Sequence, residues 1–385
     1  MKVAHIITRM IIGGAQENTL LCCEDLVSQH GDDVLLITGP SLGPEGDLLL
    51  QPRPVTVPTH TIPNLRRAIH PWHDWRAYRN LKRVLKNYQP DVVHTHSAKG
   101  GFLGRLAAHA LRTPAVVHTV HGAPFHPYQG RVPRALFRSC ERYAARKCHA
   151  LISVADALTE QLVAQRVAPA GKFHTIYSGM EINPFLQANE QRQVLRDRFG
   201  FQQEHVVVGK IARLFHLKGH RYLIQAAEQV VRDQPHVRFL IIGDGLLRPR
   251  LEAQIARAGL TSFFHFTGLV EPPEIPGLIG AMDLLVHTSL REGLARALPQ
   301  ALLAGKPVIS YDVDGAREVV IQDETGILLE PRSIQSLATA ITELAHDEPR
   351  RQKLGRAGQQ NCRLRFCHEE MTRQIRQLYQ QVLNQ

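Results

Sequence analysis

Residues 289–305, SLREGLARALPQALLAG, place one acidic side chain, Glu292, in a glycine-containing turn after the apolar run 283–288. A helix-like segment follows at once and carries Gln300 about two turns later. A strand that delivers a carboxylate and a helix N-terminus to one crevice is how an open α/β sheet holds a phosphorylated ligand. The helix end offers N–H groups to phosphate, and the carboxylate accepts from ligand hydroxyls. A ligand with both parts is a nucleotide sugar.

Residues 208–219, VGKIARLFHLKG, put Arg213 and Lys218 just past a strand and before a helix. Two fixed cations there can neutralise a diphosphate, most usefully while a departing nucleoside diphosphate gathers negative charge. A solvated basic loop is the plainer alternative, and the strand-end placement favours the anion site. GxxxxGK[ST] is absent, so this is no Walker loop. In 241–245, IIGDG, Gly243 and Gly245 bracket Asp244 and would let the chain pass close to a base or phosphate; a plain β-turn fits equally. In 8–16, TRMIIGGAQ, Gly13 and Gly14 follow a strand and open a helix, either as an anion-approach loop or as a tight turn. GxGxxG is missing, which disfavours a nicotinamide site.

Two further strand ends, HTHSAKGGFLG at 94–104 and HTVHG at 118–122, deliver His94, His96 and His121, with Lys99 between them. Alternation puts His94 and His96 on one face, but no carboxylate or cysteine sits at ligand spacing, so no metal is expected. His121 precedes Gly122, which would let a substrate approach an imidazole; a buried core histidine is the alternative.

These segments need a scaffold that presents strand ends. The chain has 385 residues, so two domains are expected. Apolar runs at 3–8, 33–38, 92–94, 115–120 and 150–154 alternate with helix-length segments at 15–29, 72–88, 101–111, 133–149 and 157–165. After a polar stretch at 178–203 the alternation restarts. Its runs are 206–212, 239–242, 264–267, 284–287 and 308–310; its helices fit 222–231, 246–258, 273–281, 295–304 and 334–344. Such alternation predicts parallel sheets with crossover helices, hence α/β with two doubly wound domains. Residues 39–61, rich in Pro and Gly, read as loop, and 366–383 carry apolar residues at helical spacing. The expected division is 1–185, a linker at 186–204, 205–365, and a terminal helix at 366–385.

The 46 Lys and Arg against 35 Asp and Glu leave +11, which points to an anionic partner. Residues 72–88 combine Arg76, Arg79, Lys82, Arg83 and Lys86 with Trp72, Trp75 and Tyr78, and 133–149 space Arg134, Arg138, Arg142 and Arg146 by four. Basic helices with aromatic edges suit an anionic inner-leaflet surface; an ordinary solvated face is the alternative. No nucleic-acid motif accompanies the charge, so nucleic acid is not expected. Six cysteines without a CxxC pair read as reduced, and no apolar run approaches about 18 residues, so a cytoplasmic chain, peripheral at most, is expected.

Taken in order, TRMIIGGAQ, HTHSAKGGFLGR, HTVHG, GKIARLFHLKG, IIGDG and REGLARALPQALLAGKPVIS resemble the retaining nucleotide-sugar glycosyltransferases of family four, which have the GT-B fold. The resemblance spans nearly the whole chain. It implies two Rossmann-like domains facing a cleft and a tail helix that returns to the first domain. It implies a nucleotide-sugar donor bound by the second domain. The acceptor, a saccharide or glycolipid, would be bound by the first, with Lys99 and His96 as candidate contacts. No cofactor or metal is implied, and transfer would keep the anomeric configuration. Arg213 and Lys218 match the pair that grips the donor diphosphate, Glu292 the acid at the donor sugar, and His121 the histidine near the transferred sugar. Gly293 with Leu294 would cradle phosphate through backbone N–H groups. Gly13 and Gly14 match the loop beside the diphosphate, and 176–185 match the interdomain hinge, with Ser178 where Asn is usual.

One departure stands out. The family pattern repeats a glutamate after seven intervening residues, and here that position is Gln300. A glutamine carbonyl still accepts from ribose but without charge assistance. No second carboxylate is evident for a double displacement, so a same-face route is expected, in which diphosphate leaves and the acceptor hydroxyl enters. Two rival readings are a sugar-nucleotide epimerase of the same fold and a non-catalytic membrane- or polyanion-binding protein.

Overall fold

The strands are runs of Val, Ile, Leu and Ala buried on both faces, as crossover-connected parallel sheets require. The structure, a computed structural model, describes residues 1–43 and 46–385. Pro44 and Glu45, within the segment expected as loop, lie outside the described residues. Two compact units are present, Met1–Met180 with Phe366–Gln385, and Glu181–Arg365.

In the first unit, β1 (Lys2–Ile6), β2 (Asp33–Thr38), β3 (Thr59–Thr61), β4 (Val92–His96), β5 (Ala115–Val120), β6 (Ala150–Ser153) and β7 (Phe173–Thr175) form one sheet. Its order is β3-β2-β1-β4-β5-β6-β7, with every pairing parallel. The second unit contains β8 (Val206–Ile211), β9 (Val237–Ile242), β10 (Phe264–Gly268), β11 (Leu284–His287), β12 (Val308–Tyr311) and β13 (Gly326–Leu329), ordered β10-β9-β8-β11-β12-β13. Both sheets are doubly wound. The winding reverses between β1 and β4 in one and between β8 and β11 in the other, and ligands of open α/β sheets sit outside the carboxyl ends of strands at such points.

The first core gathers Val3, Ile7, Leu26, Val92 and Val117 with Met371, Ile375, Leu378 and Tyr379. The last four lie on the terminal helix His368–Leu383, which belongs to the first unit. Asp25 accepts from Thr372 Oγ1 at 2.7 Å, and Asp32 accepts from Arg376 Nε at 2.9 Å and from the chain's amino terminus at 2.7 Å. The second core is built on Val208, Phe239, Ile241, Leu284, Val286 and Ile309.

Several boundaries differ from the sequence reading. The units meet at Met180/Glu181 and Arg365/Phe366. The segment expected as a linker, 186–204, folds into the second unit and contains the helix Arg192–Arg198. Its polarity is internal: Arg192 reaches Asp283 Oδ1 at 2.6 Å, and Arg196 reaches Asp283 Oδ2 at 3.2 Å. The helix Glu348–Arg365 went unread because its sequence has few apolar residues. Gly355 and Gly358 let it lie close: a Cβ on Gly355 would meet Gly305 O at 2.0 Å, and one on Gly358 would meet Leu302 Cδ2 at 2.4 Å. It thereby backs the helix Ala297–Leu303, which is shorter than expected. All six cysteines are free. Among the described residues, no helix is long and apolar enough to cross a membrane.

Candidate active site

In the second unit the turns after β8 and β11 hold the candidate residues Lys218 and Glu292. The 3-10 turn His216–Lys218 ends in Gly219, whose φ of +67° opens the helix His220–Asp233. A Cβ on Gly219 would stand 1.9 Å from Thr288 O, so only glycine lets the two turns approach. Lys218 Nζ then lies 2.6 Å from Glu292 Oε1, and His287 Nε2 lies 3.3 Å from the same oxygen. The Glu292 N–H donates to Asp314 Oδ2 at 2.6 Å, fixing the turn. Burial pushes the Glu292 carboxyl upward, but the Lys218 charge and His287 outweigh it and hold the group well below the carboxylate range. The site presents one ionised carboxylate flanked by a cation.

Beneath this pair lies Lys210, fully buried on β8. Its Nζ donates to Thr288 Oγ1 at 2.9 Å, and that hydroxyl donates to Gly219 O at 2.9 Å. Burial, with a smaller contribution from Lys218, pulls the Lys210 ammonium down to about 7. Arg213 is exposed, with its guanidinium 5.1 Å from the centre of the Phe215 ring. The IIGDG turn supports the Arg213 loop: Leu214 N–H donates to Asp244 O at 2.9 Å, and Leu247 N–H donates to Leu214 O at 3.1 Å. The Asp244 carboxylate, expected at the donor, accepts from Gly245 N–H at 2.7 Å and from Arg248 Nη1 at 3.0 Å. Gly243, at φ +128°, packs where a Cβ would meet Ala212 O at 2.4 Å. Gln300 is half-buried on Ala297–Leu303, and Gly293 and Leu294 lie in the turn between Glu292 and that helix.

In the first unit the reversal lies between β1 and β4. Thr8 Oγ1 pairs with Ser97 Oγ at 2.6 Å and accepts from Gly100 N–H at 2.8 Å, joining the two strand ends. Gly13 and Gly14 open the helix Gly14–Ser28 beyond β1. Two residues expected at the acceptor have other partners. Lys99 Nζ donates to Asp74 Oδ1 at 2.6 Å and to Ala68 O, within the same unit. His96 is 1 % exposed, so its side chain has almost no surface to offer an acceptor. Its Nδ1 lies 3.2 Å from His121 Nε2, and His121 itself is half-buried after β5.

Parallel register sets His5 opposite His94, which brings a third imidazole to the HxH pair. Among the described residues, His5, His94 and His96 place ligand-type nitrogens within 4.8 Å of one another. Both ring nitrogens of each already face hydrogen-bond partners within the cluster or on Thr119, His121 and Tyr379. His5, His287, Lys210, Asp314 and Tyr379 were not singled out from the sequence. The histidine and lysine inside apolar strands were the available signal, since buried strand positions rarely hold such groups without a reason.

Comparison with known proteins agrees with this fold. Residues 191–361 match the family model of glycosyl transferases group 1, and 13–179 match that of a glycosyl transferase 4-like domain. The UDP-Gal:alpha-D-GlcNAc-diphosphoundecaprenol alpha-1,3-galactosyltransferase of Escherichia coli is 28% identical over 350 residues, 90% of this chain and 89% of that protein. The 2-deoxystreptamine glucosyltransferase of Streptomyces kanamyceticus is 30% identical over 274 residues, 69% of this chain and 70% of its own. HepE from Anabaena, solved in complex with UDP-glucose, superposes with a TM-score of 0.83 at 25% identity, covering 99% of this chain and all of that one. Two doubly wound parallel sheets as in the GT-B fold, both family models and these relatives converge: the chain belongs to the glycosyl transferases group 1.

Proposed function

We propose that this glycosyltransferase moves a hexosyl unit from a nucleoside-diphosphate sugar to a hydroxyl of a saccharide or lipid-linked acceptor, with retention and without a metal, in cell-envelope polysaccharide or glycolipid synthesis. The observation that carries this reading is the ionised Glu292 paired with Lys218 at the β8/β11 reversal, where a doubly wound sheet takes its ligand. Lys218 has further N–H donors beyond its bond to Glu292, and Arg213 adds a second cation on the same turn. Both stabilise the diphosphate as it leaves, while Glu292 accepts from the donor sugar. Gly293 and Leu294 offer backbone N–H groups to phosphate, and Gln300 meets the ribose. The diphosphate departs and the acceptor hydroxyl enters on the same face, its proton passing to a leaving oxygen.

The named relatives support the substrate class: one takes UDP-Gal and a diphosphoundecaprenol-linked acceptor, and HepE was solved with UDP-glucose. The first unit also exposes Trp72, Trp75, Val132, Leu136 and Tyr143 beside basic residues, which supports an acceptor met at an anionic inner leaflet. The test is to incubate the purified chain with UDP-, GDP- and ADP-linked hexoses, UDP-linked first, and with lipid-diphosphate-linked saccharides, with and without EDTA. The expected product carries the donor's anomeric configuration by NMR at an EDTA-independent rate. Inverted product, or C2 inversion of the donor without an acceptor, overturns the reading.

A further inference from the structure

Lys210 carries an amine in a place that does not favour a cation. Its side chain is fully buried on β8, and among the described residues the Thr288 hydroxyl is the one hydrogen-bond acceptor for its Nζ, at 2.9 Å. Thr288 passes its own proton to Gly219 O at 2.9 Å, and Gly219 is the residue on which the helix His220–Asp233 begins. Lys210 therefore stands one hydroxyl away from the positive end of a helix dipole. An ammonium has three N–H donors, and a single acceptor leaves the others unmatched.

The titratable groups facing Lys210 come from each element around it. Burial, then the charge of Lys218 on the turn after β8, pull its ammonium down to about 7, while Glu292 on the turn after β11 acts the other way. Glu292 already pairs with Lys218 at 2.6 Å. His220, at the head of its helix, is pulled down by burial to about 2. His287, at the end of β11, is lowered by burial against the pull of Glu292. Neither imidazole therefore gains a proton above neutral pH.

The Thr288 oxygen accepts from an amine and from an ammonium alike, so Lys210 can change charge without breaking its bond. The charge around it then decides its state. With one carboxylate set against Lys218 and the helix end, the amine is the resting form above neutral pH. A diphosphate brought to Lys218 adds negative charge and reverses that balance.

We propose that Lys210 is a positioning residue that takes up a proton when the donor's diphosphate settles at Lys218, so that the donor site gains a buried cation only while it is occupied. This rests on the reading that Lys218 holds the diphosphate. Lys210 touches no ligand: it acts through its charge and through the Thr288–Gly219 bond that joins the two turns. The proton comes from solvent and returns there when the nucleoside diphosphate leaves.

The experiment is calorimetry of UDP-, GDP- and ADP-hexoses on the full chain without acceptor, in buffers of different ionisation enthalpy at about pH 8. The esterified diphosphate of these donors does not titrate there. The wild-type chain should take up more than half a proton per site with whichever donor binds. Its affinity should fall, by up to about tenfold per pH unit, between about pH 7 and 8.5. Lys210→Met should bind the same donor with little uptake and with an affinity nearly flat over that range. In carbon NMR of the lysine-labelled wild-type chain, one Cε signal should titrate near 7 without donor and stay in its ammonium position across the range with donor. Binding heats independent of the buffer, equal uptake by the variant, or no Cε signal of that kind overturns the proposal and leaves the donor reading standing. No binding by any of the nucleotides overturns the donor reading and takes this proposal with it.

Discussion

Lys218 Nζ stands 2.6 Å from Glu292 Oε1, so opposite charges tie the turn that leaves β8 to the turn that leaves β11. His287 leans on the same oxygen from 3.3 Å, which makes Glu292 the common anchor of both turns. Replacing one member removes the contact proposed for it with the donor and also frees the other from its place. Lys218→Ala and Glu292→Gln should each lower kcat/KM by about 10²–10³-fold. The double variant should lose much less than the product of the two factors, because the pair acts as one unit. Strictly multiplicative losses in a double-mutant cycle would show that the two side chains work independently.

The same pairing makes stability depend on pH. The folded Glu292 carboxyl titrates well below its ordinary value of 4.5, through Lys218 and His287 acting against burial. A depressed carboxyl contributes stability above its unfolded value, and that contribution is lost as pH falls toward the folded one. The wild-type Tm should therefore exceed that of Glu292→Gln at neutral pH, and the gap should close as the pH drops below 4.5. A gap that stays constant on acidification would refute the ionised pair.

Lys210 gives a slope of the same sign at higher pH, but as a cost rather than a contribution. Its folded ammonium titrates at about 7 against an ordinary 10.5, so the unfolded chain binds more protons between those values. Stability should rise with pH across that window, and the cost of the buried charge is felt in full below it. Lys210→Met should raise the Tm at neutral pH and flatten the rise, while Thr288 keeps its bond to Gly219 O. Thermal melts of both proteins across the window decide this. A lower Tm for the variant at every pH would mean that the Lys210–Thr288 bond outweighs the burial of charge.

How far these sites were legible follows from what each element depends on. Strands buried on both faces announce themselves as apolar runs, and the readings at 33–38, 115–120 and 284–287 coincide with β2, β5 and β11. The short strands β3, β7 and β13 escaped because few residues carry their pattern. Arg192–Arg198 escaped because its arginines look solvent-facing until Asp283, distant in sequence, is brought beside them. The two cations and Glu292 were visible as residue types at strand ends, but their direct pairing was not, since it needs Gly219 to pass under Thr288. Lys99 carried a charge that looked available, and its partner Asp74 lies on another helix. His5 was hidden for a simpler reason: only parallel register with β4 sets it against His94.

Exposed aromatic and aliphatic side chains on basic helices lead to the final prediction. Trp72 and Trp75 stack at 5.1 Å on Pro71–Tyr88, with Arg76 4.8 Å from the first ring and Arg79 4.9 Å from the second. On Arg131–Ala145 the arginine stripe is partly turned inward, with Arg138 and Arg142 on Gln165, while Val132 and Leu136 stay open to solvent. Indoles backed by guanidinium groups suit the headgroup layer of an anionic bilayer, where rings enter the interface and cations meet phosphate. Sedimentation with phosphatidylglycerol vesicles should show binding that weakens as salt rises. Replacing Trp72 and Trp75 together by Ala should reduce partitioning about tenfold, with transfer to a soluble acceptor analogue unchanged. Equal binding to vesicles of phosphatidylcholine alone would remove the electrostatic part of the idea. No binding to either would assign these rings to some other partner of the first unit.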